Sequence, residues 1–364
     1  MKKLPIILLG TGIAFQLGHY FENRSLWLDE TYVAANIMGQ TWSELFHFNS
    51  IFSEQPQSPL IFYLIEKFNI LILGNHEYAF RLWPLIAGIL SIFFFYRITQ
   101  RYLVGWPMYL ALGLFVFCPF LIYYAAEVKH YSGDVLSTLF IYWLFEYIHE
   151  RMDSRRALLF VGLIGGPLIW FSHVAIFPLA AIGIVLGWEC LRRREWKVFL
   201  YLLLLGLFWT GNFLVLYNKS LGNILDSQYI MQTLEYEFMP QRGEVAKNIL
   251  WLGSRMENVF RSLLGISFPL FASLLFGIGC LSMRRRDAKR FWVLFLTIII
   301  TLAAAILHRY PFEGRFLLFT VPAFILLISQ GSSEIVRRVP IQWQVVTGFS
   351  LAGILLFAPL KTSL

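Results

Sequence analysis

Long apolar runs recur along almost the whole chain, and they constrain its fold more than any other feature of the sequence. Of the 364 residues, 58% are hydrophobic and only 14% are charged. The runs are roughly 16 to 23 residues long, close to the length at which an α-helix crosses a bilayer. They lack the period-two alternation of an outer-membrane barrel strand. The sequence therefore predicts an all-α polytopic membrane protein, with residues 1–364 forming a single membrane domain.

Lys and Arg gather in short clusters between the apolar runs. The clusters are Lys2 with Lys3, Arg97 with Arg101, Arg151 with Arg155 and Arg156, Arg192 to Arg194 with Lys197, Arg284 to Arg286 with Lys289 and Arg290, and Arg337 with Arg338. The positive-inside rule predicts that all of them are cytoplasmic. The net charge of +8 then reflects orientation in the membrane, and no nucleic acid is expected as a partner.

With the clusters inside, about eleven transmembrane helices are predicted. They fall near 4–19, 82–98, 103–124, 134–148, 157–172, 174–190, 198–217, 259–281, 291–307, 314–330 and 342–360. A further apolar run, 59–75, does not fit the alternation, because a crossing there would invert every later basic cluster. Pro59 to Gly74 is therefore predicted to be an interfacial or re-entrant helix. A true crossing that violates the charge rule is the alternative.

Two long exoplasmic loops follow from this topology, at 20–81 and 218–258. Ionisable residues concentrate at the exoplasmic ends of the spans, where Asp29, Glu30, Glu127, Lys129 and Arg315 lie. Charges are expensive within a bilayer, so acids at its border are candidates for function. A carboxylate can accept the proton of an attacking hydroxyl, while Lys or Arg stabilises a departing phosphate. A lipid-phosphate sugar presents its reactive carbon at that depth.

Several stretches resemble one family of membrane enzymes. They are Trp27-Leu28-Asp29-Glu30, Glu54-Gln55-Pro56-Gln57-Ser58-Pro59-Leu60, Arg81-Leu82-Trp83-Pro84, Glu127-Val128-Lys129-His130-Tyr131, and Tyr310-Pro311 to Arg315 followed by Val321-Pro322. In this order they resemble the GT-C superfamily of polyprenyl-phosphate-sugar glycosyltransferases, which includes protein O-mannosyltransferases and lipid A aminoarabinose transferases. The resemblance implies inverting transfer of a sugar to a hydroxyl, with one long exoplasmic loop after the first span and another after the seventh.

The resemblance also implies roles for individual residues. Asp29 is the expected general base, and Glu30 is expected beside it as a catalytic residue that orients the acceptor or the helix. Residues expected to bind the donor phosphate or substrate are Glu54, Glu127, Lys129, Tyr131 and Arg315. The implied partners are a lipid-linked sugar donor, a glycan, lipid or protein acceptor, and membrane lipid. No metal site is predicted firmly, although some family members bind a divalent metal and one is possible here.

This chain departs from the family pattern at two positions. Gln55 precedes a single Pro56 where relatives often have Lys before a Pro pair, so the cation that could contact a phosphate at that position is absent. Lys129 occupies a position where relatives tend to have Arg, which keeps the charge but loses bidentate geometry.

Simpler interpretations stay open for each candidate. Asp29 and Glu30 could cap a loop helix, Glu127 and Lys129 could form a surface pair, and Arg315 could be a snorkelling anchor. His173 and His308 are expected to be ordinary hydrogen-bonding residues. A transporter or lipid-linked glycan flippase is an alternative function, kept open by the midspan Gly165-Gly166-Pro167, and a non-catalytic assembly subunit is another. Because the charges lie at the ends of spans, the enzyme is the favoured hypothesis.

Overall fold

The structure is a computed structural model, and it describes residues 3–48, 58–152, 154–221, 232, 235–240 and 245–363. Within these residues the chain is helical and contains no β-strand. This confirms the all-α fold that the apolar runs predict.

The N-terminal half of the chain is a series of helices, and its first long loop is itself partly helical. Its helices are α1 (Leu4–Phe21), α2 (Leu28–Gly39), α3 (Trp42–Phe46), α4 (Leu60–Leu73), α5 (Glu77–Tyr102), α6 (Pro107–Val116), α7 (Pro119–Tyr124) and α8 (Tyr131–His149). Pro119 cannot continue the hydrogen bonding of α6, and it starts α7 at a position where proline is tolerated. The predicted span 103–124 is therefore two short helices that meet at Phe117 and Cys118.

The C-terminal half is built from longer helices. They are α9 (Arg155–Phe171), α10 (Ile176–Arg193), α11 (Trp196–Leu216), α12 (Val245–Asn258), α13 (Pro269–Arg286), α14 (Ala288–Ile306), α15 (Val321–Arg338) and α16 (Ile341–Ser363). A 3₁₀ helix, Gly314–Thr320, leads into α15, and another, His173–Ala175, leads into α10. The predicted loop 218–258 thus contains the helix α12, and the predicted span 259–281 becomes a π-turn at Val259–Leu263 followed by α13.

The described residues include seven helices that are long and apolar enough to cross a membrane. They are Leu4–Phe21, Glu77–Tyr102, His173–Arg193, Trp196–Ser220, Ala288–Ile306, Gly314–Arg338 and Ile341–Ser363, and two shorter apolar helices are Pro107–Val116 and Arg156–Phe171. The predicted number of eleven is not confirmed. The other two predicted spans fall on α8, which contains Asp134 and Glu146, and on α13, which ends in three arginines beyond the predicted span. These charges lower the mean hydropathy of both helices. The protein is nevertheless an integral, multi-pass membrane protein.

Helix α15 lies at the centre of the bundle, with the residues from Val321 to Ser333 buried. It packs most extensively against α13, where two glycines let the backbones touch. A Cβ atom added at Gly279 would lie 1.8 Å from the carbonyl oxygen of Leu327, and one added at Gly331 would lie 1.9 Å from that of Leu275. Small residues at a helix crossing are the usual means of close packing in membranes.

The first loop folds over one end of the bundle. Helix α3 is held by a capping box in which the Glu44 carboxylate accepts from the Thr41 N–H at 2.7 Å. Helix α4 packs against α5, and the Lys67 ammonium donates to the carbonyls of Ile37 and Gln40 at the end of α2. The end of α2 is therefore held against α4.

Candidate active site

The candidate site forms where three distant segments of the chain meet. These are the first turn of α2, the connection between α7 and α8, and the 3₁₀ helix before α15. Each segment brings one charged side chain to the same place. The Arg315 guanidinium lies 2.8 Å from the Asp29 carboxylate, and the Lys129 ammonium lies 3.9 Å from the same carboxylate oxygen.

These three side chains are the accessible part of the site. The exposed fraction is 22% for the side chain of Asp29, 13% for Lys129 and 31% for Arg315. Burial lowers the pKa of the Lys129 ammonium to about 8, although the neighbouring Asp29 carboxylate acts in the opposite direction. Lys129 is therefore mostly charged at neutral pH, close to the limit at which it would lose its proton.

Aromatic rings surround the Arg315 guanidinium. Its central carbon lies 5.9 Å from the ring centres of Trp27 and Tyr131 and 5.6 Å from that of Phe316. Ring faces attract a cation at this range. Tyr131 itself is buried, with Tyr124 and Phe316 packed edge-on against it. The structure thus places Tyr131 beside Arg315, as a wall of the site.

Glu30 points away from the accessible side chains, into the protein. It is fully buried and forms an ion pair with Arg81, with Nη2 of Arg81 at 3.0 Å from the carboxylate. The same carboxylate accepts from the N–H of Val128 at 2.8 Å and from that of Trp27 at 3.2 Å. One buried acid therefore connects α2, α5 and the connection that carries Lys129.

Glu127 is the second buried acid behind the site. It is 1% exposed and accepts from Nη2 of Arg24 at 3.0 Å and from Nε1 of Trp27 at 2.5 Å. Burial, with the nearby Glu30 carboxylate, raises the pKa of the Glu127 carboxyl, and the bonds from Trp27 and Arg24 oppose that rise. Glu127 thus pairs with Arg24, whereas Lys129 pairs with Asp29.

The arginines Arg24 and Arg81 complete this buried network, and the sequence did not identify them as partners of the acids. Nη1 of Arg81 donates to the carbonyl of Arg24 at 2.5 Å, which joins the two ion pairs. Their signal in the sequence was an arginine beside or within an apolar run, a position where a charge needs a partner.

The remaining candidates lie in different surroundings. Glu54, with Gln55 and Pro56, falls outside the described residues. Nε2 of His308 lies 2.8 Å from the carbonyl oxygen of Met239, and its ring stacks on Phe238, so it holds another segment in place. His173 lies near His130, with ring centres 6.4 Å apart, on the α8 side of the site. Burial lowers the pKa of His130 well below its ordinary value.

From the sequence, a site for a divalent metal stayed an open alternative. Within the described ranges, no three His, Cys, Asp or Glu side chains lie close enough together to hold a metal ion. The charges at Asp29 are instead balanced by Lys129 and Arg315.

Comparisons with known proteins identify a matching family model and similar solved structures. Residues 55–215 match the family model described as dolichyl-phosphate-mannose-protein mannosyltransferase. No curated protein matches the sequence.

Several solved structures share the fold. ArnT from Cupriavidus metallidurans bound to undecaprenyl phosphate superposes with a TM-score of 0.60 at 13% identity, covering 94% of this chain and 61% of that one. The apo oligosaccharyltransferase of Archaeoglobus fulgidus gives a TM-score of 0.61 at 11% identity, covering 100% and 56%. The archaeal oligosaccharyltransferase AglB from Archaeoglobus fulgidus, in complex with an inhibitory peptide and a dolichol-phosphate, gives a TM-score of 0.57 at 10% identity, covering 100% and 55%. The chain thus spans about three fifths of the length of the ArnT structure. Residues 55–215 thus resemble the mannosyltransferase family, and the chain shares its fold with ArnT and the archaeal oligosaccharyltransferase.

Proposed function

We propose that this protein is an inverting glycosyltransferase that moves a sugar from a polyprenyl-phosphate donor to a hydroxyl acceptor. One observation carries the proposal, namely that Asp29, Lys129 and Arg315 meet at an accessible site although they are far apart in sequence. A carboxylate beside two cations supplies the two functions that such a transfer needs, a base and a phosphate clamp.

The charge of the site suits such a donor. Asp29 contributes one negative charge, and Lys129 and Arg315 contribute two positive charges. The site therefore has one net positive charge. A sugar linked to a lipid through one phosphate is a diester with a single negative charge. When the donor phosphate binds Lys129 and Arg315, it competes with Asp29 for them, and the Asp29 carboxylate becomes available to accept a proton.

The transfer step then proceeds with the charges balanced. Asp29 takes the proton of the acceptor hydroxyl, and the oxygen attacks the anomeric carbon of the sugar. The bond from that carbon to the phosphate oxygen breaks, and its electron pair leaves with the polyprenyl phosphate. Lys129 and Arg315 stabilise the departing anion. Attack from the side opposite the leaving group inverts the anomeric centre.

We assign Glu30 and Glu127 to positioning the reacting groups. Both are buried, and their oxygens are taken by arginine, indole and backbone donors. Glu30 holds the first turn of α2 against Val128, the neighbour of Lys129, so it sets the distance between the base and one phosphate cation.

The lipid donor and the side of the membrane belong to the same proposal. The similar structures of ArnT and AglB were solved with undecaprenyl phosphate and a dolichol-phosphate, respectively, which supports a polyprenyl phosphate as the donor. The basic clusters support an exoplasmic site, because Asp29, Lys129 and Arg315 lie at the helix ends opposite to them. A glycan, lipid or protein hydroxyl serves as the acceptor.

Replacing the base tests the proposal directly. We expect Asp29→Asn to lower kcat for sugar transfer by about 100-fold or more in proteoliposomes supplied with polyprenyl-phosphate sugars, because the amide cannot accept the proton. Glu77→Gln is the matched control, since Glu77 is also an acid in the first turn of a helix, α5. Equal turnover of Asp29→Asn and the wild type would remove Asp29 as the base.

A further inference from the structure

A cavity rimmed by basic residues lies at the opposite end of the bundle from Asp29. It has a volume of about 500 Å³ and opens between the C-terminal ends of α13 and α15. The apolar helix that begins at Gly314, next to Arg315, runs for 25 residues to Arg338, at the rim of this cavity. The two sites are therefore at opposite ends of one membrane-spanning helix.

Arginines dominate the lining of this cavity. Arg285, Arg286, Arg337 and Arg338 line it, and the acid among the lining residues is Glu334. Four positive charges thus face one negative charge. Oε1 of Glu334 already accepts from Nε of Arg338 at 3.0 Å, and its other oxygen accepts from the Ser282 hydroxyl at 3.2 Å.

A hydrogen-bonded network holds two lining residues of the cavity, Ser282 and Arg286, in place. The Gln330 side chain is 1% exposed, and its amide donates to the Ser282 hydroxyl at 2.9 Å. Its carbonyl oxygen accepts from Nη1 of Arg286 at 2.7 Å. Arg286 also donates to the backbone carbonyl of Tyr102. Because these partners hold Arg286 in place, the cavity has a built polar base.

Two of the arginines keep their donors available. Neither Arg285 nor Arg337 makes a hydrogen bond or ion pair with any part of the chain that the structure describes. Both are exposed at the mouth of the cavity. The guanidinium group presents a planar set of donors that matches two oxygens of a phosphate at once.

An apolar track leaves the cavity along α13. Ile278, Leu281 and Ile335 line the cavity on this side. Leu281 is 61% exposed, and Leu274 and Leu270, seven and eleven residues earlier on the same helix face, are 66% and 81% exposed. The track is about 16 Å long at the rise of an α-helix. Its position suits a hydrocarbon chain that lies against the protein within the bilayer.

From the cavity and the track together, we propose that this cavity binds the phosphate headgroup of an anionic phospholipid, with an acyl chain along α13. Basic cavities between membrane helices on the cytoplasmic side are typical sites for such headgroups. Arg285 and Arg337 contact the phosphate, while Gln330 holds the lining residues Ser282 and Arg286 in place. The site is separate from the proposed transferase site and does not depend on its activity.

Lipid titration of the purified full-length protein tests this site. Native mass spectrometry would measure the binding of phosphatidylglycerol, of phosphatidylcholine with the same acyl chains, and of phosphatidylglycerol with inorganic phosphate as competitor. We expect phosphatidylglycerol to bind about tenfold or more tightly than phosphatidylcholine, and inorganic phosphate to displace little of it. Arg285→Gln with Arg337→Gln should weaken phosphatidylglycerol binding by about tenfold or more, because each cation near the headgroup contributes.

The matched control is Arg192→Gln with Lys197→Gln, which removes two exposed charges from another basic cluster. We expect this control to retain wild-type binding. An equal loss in the control would show a general surface charge effect and overturn the proposal. So would equal binding of the two lipids, or displacement by inorganic phosphate, which would indicate a site for free anions. Arg337→Gln alone repeats the test with a smaller change, and melting temperatures verify that each variant is folded.

Discussion

At the scale of single residues, the acids of the site differ in how deeply they are buried. Asp29 is accessible and paired with two cations, while Glu30 and Glu127 are buried and fully engaged in hydrogen bonds. The sequence could identify Asp29, Lys129 and Arg315 as candidates, because charges beside apolar runs are rare and expensive. It could not show that Glu30 is buried while Asp29 is accessible, because that difference depends on the contacts of Glu30 with Arg81 and Val128.

The pH dependence of kcat/KM for the lipid donor should follow the protonation of the Lys129 ammonium. Its pKa is lowered to about 8, so the ammonium is charged below that pH and neutral above it. We expect kcat/KM for the lipid donor to fall above pH 8, approaching tenfold per pH unit, because the free enzyme loses one phosphate cation.

Lys129→Arg separates this effect from other titrations. An arginine stays charged throughout the range, so the fall should move to higher pH. Lys197→Arg is the control, because Lys197 belongs to a basic cluster on the opposite side. An alkaline limb that stays at the same pH in Lys129→Arg would show that another group titrates.

At the scale of elements, buried ion pairs fix the helices that carry the site. The Glu30 and Arg81 pair joins α2 to α5, and Glu30 also holds the connection before α8. The sequence predicted that these segments lie on the same side of the membrane, but not which side chains join them. Such partners are separated by 51 residues and depend on packing.

Breaking this ion pair should destabilise the protein strongly. We expect Arg81→Met to lower the free energy of unfolding by about 3 to 5 kcal/mol, because it leaves the Glu30 carboxylate buried without its cation. In the double variant Glu30→Gln with Arg81→Met, the buried charge is gone and a carbonyl remains to accept from Val128.

The melting temperature of detergent-purified protein is measured for Glu30→Gln, for Arg81→Met and for the double variant. The double variant should be more stable than Arg81→Met alone. A double variant that is destabilised by the sum of the two single changes would show that the two residues do not act as a pair.

At the scale of the whole molecule, the apolar runs predicted the fold class, but not the number of spans. Charges within α8 and at the end of α13, and the break between α6 and α7, make these segments differ from simple apolar spans. Hydropathy depends only on the composition along the chain. A helix bundle can bury polar residues such as Asp134 and Glu146 between its helices, so a helix of the bundle can have a low hydropathy.

The course of α4 is the main open prediction about topology. Its 14 residues extend about 21 Å, short of the roughly 30 Å of hydrocarbon in a bilayer. We therefore expect α4 to stay on the exoplasmic side. Reporters of sidedness inserted at residues 78 and 99 should give an exoplasmic and a cytoplasmic signal, respectively. A cytoplasmic signal at residue 78 would mean that α4 crosses and that the charge rule is violated.

The central claim is that Asp29, Lys129 and Arg315 form one site for the donor phosphate and the attacking hydroxyl. An experimental structure of the protein with a bound polyprenyl phosphate tests it most directly. We expect the phosphate oxygens within hydrogen-bonding distance of both the Lys129 ammonium and the Arg315 guanidinium, with the Asp29 carboxylate facing the same cavity. A phosphate bound away from these cations, with Asp29 still paired to Arg315, would contradict the account.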